Sequence, residues 1–137
     1  MTCLLDTGFL YALLNRREQQ HAAVLAVTRT LREPIVLPIP AITEVAYLLL
    51  RDVSSEAVAD FIESLAITDM VLEAPQSSGY TRAAEIIRQY ADAPVDFVDA
   101  IIVAIAERLS ITRILTIDRR HFYMFRPRHC PAFELLP

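Results

Sequence analysis

Lysine is absent from this chain of 137 residues, and all thirteen basic side chains are arginine. Three functions leave with it: the phosphate-binding lysine of a P-loop, Schiff-base chemistry and a lysine general base. Only two glycines occur, too few for a glycine-rich phosphate loop. The two cysteines, Cys3 and Cys130, match no metal or redox spacing and read as reduced thiols. His21, His121 and His129 form no H-x-x-x-H pattern, so zinc, which prefers nitrogen and sulfur ligands, is not expected. No apolar run approaches the ~18 residues of a membrane span. No signal-peptide pattern opens the chain either. A soluble, cytoplasmic protein without membrane attachment is expected.

What remains is strongly apolar. Hydrophobic residues make up 54% of the chain and its mean hydropathy is +0.36. The length fits one domain over residues 1–137 with one substantial core, and the apolar surplus calls for a partner or dimer surface besides. Helical and strand patterns alternate. Residues 2–5, 35–37, 70–72 and 111–117 read as short buried strands, with an edge strand over 133–136. Helices are predicted over 7–15, 19–31, 41–51, 56–65, 76–90 and 95–109, with Pro40 at a first helical position and Ser54 and Ser55 before the fourth helix. This alternation implies an α/β fold of three layers, with a mostly parallel central sheet flanked by helices.

Four acids interrupt or end apolar segments: Asp6 after Cys3-Leu4-Leu5, Glu44 within Ala41–Ala46, Asp99 within Phe97–Val103, and Asp118 after Ile114–Ile117. A carboxylate in such a setting is costly unless paired, hydrogen-bonded or bound to a cation. Asp6 and Asp118 fall just beyond predicted strand ends, where open parallel sheets bind ligands. Glu44 and Asp99 lie in the first two turns of helices that could lean over the same edge. An oxygen-only cluster favours Mg²⁺ or Mn²⁺. Such ions polarise a phosphodiester and activate water for attack on it. Asp6, Asp99 and Asp118 are the expected metal ligands, and Glu44 a ligand or the group orienting the water.

Around these acids the roles divide. Asp96 is either a fifth acid or a helix cap. Thr7 and Thr116 could donate to a carboxylate or a phosphate, or make ordinary strand-end bonds. Arg119 and Arg120 could clamp a phosphate bidentately, or pair with Glu107 or Glu134. His121 could protonate a leaving group, but a satisfied histidine beside Phe122 is the expected reading. Tyr11, Tyr47 and Tyr80 are expected in the core or an interface. The net charge of −4 looks wrong for a nucleic-acid partner. Without the four site acids, however, thirteen acidic residues stand against thirteen arginines. Between Arg108 and Phe133 six arginines surround Asp118, a distribution suited to a phosphate backbone.

Leu5-Asp6-Thr7, Thr43-Glu44-Val45, Val95-Asp96-Phe97-Val98-Asp99-Ala100 and Thr116-Ile117-Asp118-Arg119-Arg120-His121-Phe122 together resemble the PIN domain, in particular the VapC-type toxins of type II toxin–antitoxin pairs. The likeness runs over nearly the whole chain. It implies a Rossmann-like sheet and Mg²⁺- or Mn²⁺-dependent endoribonuclease activity. It also implies homodimerisation and inhibition by a small cognate antitoxin. The family's acids fall on Asp6, Glu44, Asp99 and Asp118. Gly8 departs from the pattern, where a serine-like or bulkier residue is more usual, and would loosen the first loop. Competing readings are a PIN nuclease of RNA maturation or DNA processing, and a metal-binding partner module without catalysis. A phosphoacceptor domain would need a second acid after the first strand and a late lysine, and this chain has neither.

Overall fold

The computed structural model describes all 137 residues. Five short strands, β1 (Cys3–Leu5), β2 (Ile35–Pro38), β3 (Val71–Glu73), β4 (Arg113–Leu115) and β5 (Glu134–Leu136), form one sheet in the order β3-β2-β1-β4-β5. Every neighbouring pair is parallel, so the sheet is parallel throughout rather than mostly so. Seven helices connect the strands: α1 (Thr7–Leu14), α2 (His21–Thr30), α3 (Ile39–Asp52), α4 (Ser55–Leu65), α5 (Ser77–Gln89), α6 (Phe97–Leu109) and α7 (Arg119–Met124).

The strands are buried on both faces because successive side chains point to opposite sides. Leu4, Val36, Ile114 and Leu135 join the core formed with α5, α6 and α7. Cys3, Leu5, Leu37 and Leu115 join the core formed with α1 to α4. The sheet therefore separates two apolar layers. Within α6 every residue from Asp99 to Ala106 is buried, and each fully buried isoleucine there contributes roughly 1.5–3 kcal/mol. That burial fixes how α6 is rotated, and with it the direction of Asp99.

Local chemistry sets the helix starts. Ser54 accepts the Ala57 amide at 3.0 Å, an N-cap that satisfies a free donor of α4. Pro40 lies in the first turn of α3, where a missing N–H costs nothing. Among the differences from the sequence expectation, two lie around Asp118. The strand expected over 111–117 is only Arg113–Leu115; just past it the Thr116 amide still donates to the Leu136 carbonyl at 2.8 Å while its hydroxyl turns toward Asp6. The short helix α7 follows directly. It begins because Asp118 caps it, a signal hidden in the sequence by the acid's candidacy as a ligand.

Chain order places the functional edge. From β1 the chain moves outward to β2 and β3, then crosses back to β4 and β5. The direction of winding changes between β1 and β4, and the crevice outside the carboxyl ends of strands at such a point is where open α/β sheets bind ligands. Asp6 follows β1, and Asp118 lies three residues past β4.

Candidate active site

Four polar or charged residues are buried in the chain: Asp6, Thr7, Asp99 and Thr116. All four meet in the crevice between β1 and β4. Asp6 follows β1 and caps α1, its Oδ1 accepting the Thr7 amide at 2.8 Å. Its Oδ2 accepts the Thr116 hydroxyl at 2.7 Å. The same Thr116 oxygen accepts the Asp118 amide at 2.9 Å, so one threonine ties the β1 acid to the β4 acid. Asp118 Oδ1 in turn accepts the His121 amide at 3.2 Å and starts α7.

Asp99 enters from the first turn of α6, and Glu44 from the second turn of α3. Their proximity to the others is expressed electrostatically. Burial, followed by the charges of Asp96, Asp6, Asp118 and Glu44, pushes the Asp99 carboxyl up to about 8. Burial also lifts Asp6 to about 6; the charges of Asp118 and Glu44 act in the same direction, against hydrogen bonds from Thr116 and Thr7. Glu44 is raised by burial and then by Asp96. Carboxylates that crowd and desolvate one another in this way bind protons until a cation replaces them.

The residues fit a divalent metal. Asp99, Asp118 and His121 present ligand atoms within 4.8 Å of one another. Beside Asp6, the Thr7 hydroxyl is buried without a partner, an unmet polar group of the kind that a cation's water or a phosphate oxygen satisfies. Asp96 is the N-cap of α6, accepting the Asp99 amide at 2.9 Å. It therefore acts as a cap while adding charge to the cluster. This parallel α/β sheet, with its acids collected at the switch point, is matched over residues 3–125 by the PIN domain model.

The chain belongs to the PIN domain family. Over 134 residues it is 30% identical to Ribonuclease VapC26 of Mycobacterium tuberculosis, covering 98% of this chain and 99% of that protein. Its fold is similar to that of VapC20 of Mycobacterium tuberculosis, described as a sarcin-ricin loop cleaving toxin. The TM-score is 0.77 at 20% identity, over 82% of this chain and 86% of that one. It is also similar to a chain of a toxin–antitoxin complex from Klebsiella pneumoniae, with a TM-score of 0.66 at 16% identity, over 90% and 92% of the two chains.

Several neighbours of the PIN-domain acids stand differently from expectation. His121 has a polar partner, as a satisfied histidine would, but that partner is a site acid: its Nδ1 lies 2.8 Å from Asp118 Oδ2 and 3.9 Å from Asp99 Oδ2. No periodicity in the sequence marked it, because its approach to Asp99 depends on how α7 and α6 meet. Arg119 pairs with neither Glu107 nor Glu134. It folds over the Tyr123 ring and donates to the Tyr123 hydroxyl and the Pro137 carbonyl. The basic stretch is also less free than its composition implied. Arg108 pairs with Glu73, Arg113 with Glu33 and Glu134, and Arg128 with Glu85, while Arg126 donates to carbonyls at the end of α7. Arg120, exposed beside His121 in a cavity of about 300 Å³, is left without a carboxylate partner.

Gly8 has a packing reason besides. It lies in the first turn of α1, and a Cβ there would stand 3.1 Å from Ile117 Cγ1. The close approach of α1 to the segment before Asp118 favours glycine, since any Cβ would make the Ile117 side chain give by a few tenths of an ångström. Tyr11 is buried, and its hydroxyl donates to Asp52 at 2.6 Å. Tyr47 and Tyr80 are exposed and so lie outside the core. No helix is long and apolar enough to cross a membrane.

Proposed function

We propose that this chain, as one PIN domain over residues 1–137, is a metal-dependent endoribonuclease and the toxin of a type II toxin–antitoxin pair. The observation that carries the reading is the convergence of Asp6, Glu44, Asp99 and Asp118 on the switch-point crevice, two of them with carboxyls raised to about 6 and about 8. The names of its relatives, a ribonuclease and a sarcin-ricin loop cleaving toxin, support RNA as the substrate.

Asp6, Asp99 and Asp118 are the residues to hold Mg²⁺ or Mn²⁺, with Glu44 completing the set or orienting the attacking water. A bound ion supplies Lewis acidity toward the phosphodiester. The chain's own contribution is positional. Thr116 holds Asp6 and Asp118 in fixed relation, Asp96 holds the first turn of α6 and hence Asp99, and the Thr7 hydroxyl is free to meet a water or a phosphate oxygen. Arg120 is the arginine best placed to meet the RNA backbone, and Arg119 reaches it only by leaving Tyr123.

A small cognate antitoxin and a second copy of the chain are the proposed protein partners. The resemblance to a toxin–antitoxin complex supports the first. The exposed apolar residues Tyr47, Leu50 and Val53 of α3 and its end, with Ile62 of α4, supply uncovered surface of the right kind for either.

The test is incubation of purified protein with total cellular RNA, with Mg²⁺, Mn²⁺ or EDTA, beside Asp99→Asn. Discrete fragments that require both the metal and Asp99 are expected. Metal binding without cleavage of any RNA would move the reading to a binding module. Cleavage confined to precursor RNA or structured DNA would move it to maturation or DNA processing.

A further inference from the structure

The acids of this crevice were expected to offer a metal only oxygen. The structure adds nitrogen. His121 Nδ1 lies 2.8 Å from Asp118 Oδ2 and 3.9 Å from Asp99 Oδ2. Two ligands each about 2.1 Å from one ion stand roughly 3.0 Å apart at a right angle and roughly 3.4 Å apart at a tetrahedral angle. The two histidine separations bracket those values, and all three ligand atoms lie within 4.8 Å of one another, so a single ion takes all three once the two carboxylates draw in toward it.

The ring is held toward the acids from two sides. Asp118 Oδ1 accepts the His121 backbone amide, fixing the start of α7. The next residue, Phe122, is fully buried and meets Phe125 and Phe133 edge-on, at ring distances of 5.5 and 6.3 Å. With Phe122 locked into the core, α7 cannot rotate and position 121 must face the crevice. The remaining histidines are engaged elsewhere, His21 at the Ala12 carbonyl and His129 at the Ile111 carbonyl.

We propose that His121 is a direct nitrogen ligand of the divalent metal in this site, and that it makes the site prefer a first-row transition ion such as Mn²⁺ over Mg²⁺. Magnesium is a hard ion that takes oxygen and keeps its waters, whereas imidazole suits transition ions. On coordination the ion replaces any proton on Nδ1, which leaves to solvent. The proposal rests on the acid cluster being the metal centre. A histidine that only hydrogen-bonded to Asp118 would act by orienting that carboxylate, and would not discriminate between the ions.

The experiment uses the full chain loaded with Mn²⁺, read by pulsed electron paramagnetic resonance, in natural-abundance and ¹⁵N-histidine forms. Direct nitrogen coupling that changes from the ¹⁴N to the ¹⁵N pattern is the expected result. Calorimetric titration of His121→Gln should then show Mn²⁺ affinity falling about tenfold or more and Mg²⁺ affinity changing by less than about threefold. Bound Mn²⁺ without nitrogen coupling, or equal weakening of both ions, overturns the proposal and leaves the carboxylate site standing. Failure of the wild-type chain to bind Mn²⁺ overturns both. If His121→Gln does not fold, the isotope comparison on the wild-type chain decides alone.

Discussion

The Thr116 hydroxyl donates to Asp6 Oδ2 at 2.7 Å across 110 positions of sequence. This bond supports the charged form of a carboxylate that burial otherwise pushes toward its neutral form. Thr116→Val keeps the shape and removes the donor. Its expected effect is an Asp6 pKa above about 6 and metal binding that begins at higher pH than in the wild type. Titration of Mn²⁺ binding across pH 5–9 measures the displacement, and an unchanged profile would detach Thr116 from the site.

Asp99 makes the metal-free protein sensitive to alkali. Its folded-state pKa of about 8 lies above the ordinary 3.8, so the folded chain holds a proton that the unfolded chain has released. Stability in EDTA is therefore full below about pH 4 with respect to this group, and falls as pH rises through about 8. Asp6, raised to about 6, adds to the loss over the lower part of that window. Thermal melts of Asp99→Asn in EDTA should show a shallower decline and a higher melting temperature at pH 8. RNA cleavage by this variant should be abolished.

Adding the metal reverses that loss. A ligand bound only by the folded state stabilises in proportion to the logarithm of its concentration over Kd. Its affinity here rises with pH as Asp99 gives up its proton. The melting temperature with metal minus that in EDTA should therefore grow between pH 6 and pH 8. A constant difference would place the ion away from Asp99.

Gly8 and Ile117 set the spacing between the starts of α1 and α7. In Gly8→Ala the gain of up to about 1 kcal/mol in helix propensity opposes a Cβ contact of 3.1 Å. Ile117 must move, and Asp118 follows it. Stability is expected to change little while metal affinity and cleavage fall. Gly8→Ala/Ile117→Ala should recover metal affinity relative to Gly8→Ala, as calorimetry would measure.

Glu107 tests the opposite end of α6. Burial pushes its carboxyl up, but hydrogen bonds from Arg82 and the Arg128 amide outweigh this and hold it below the ordinary range. Glu107→Ala strands a mostly buried Arg82 and should cost about 2 kcal/mol in chemical denaturation, less than for a fully buried pair. Because the group lies two turns from Asp99, metal affinity should not change.

Much of this protein was written locally. Short β-branched runs alternating with helical periodicity determined a parallel α/β sheet, since burial on both faces demands continuous apolar strands. Each of the four acids announced itself by interrupting such a run. The sequence could not determine what depends on how strands order themselves and helices meet. Thr116 becomes a link only because β4 lies beside β1. Asp96 becomes a cap because α6 begins at Phe97 rather than at Val95. His121 faces Asp99 because Phe122 is locked in the core, and three of the six arginines around Asp118 find carboxylates from distant segments. Apolar periodicity reports which face of an element is buried. Pairing between polar groups requires angstrom-scale proximity across the chain, and only the tertiary structure decides that.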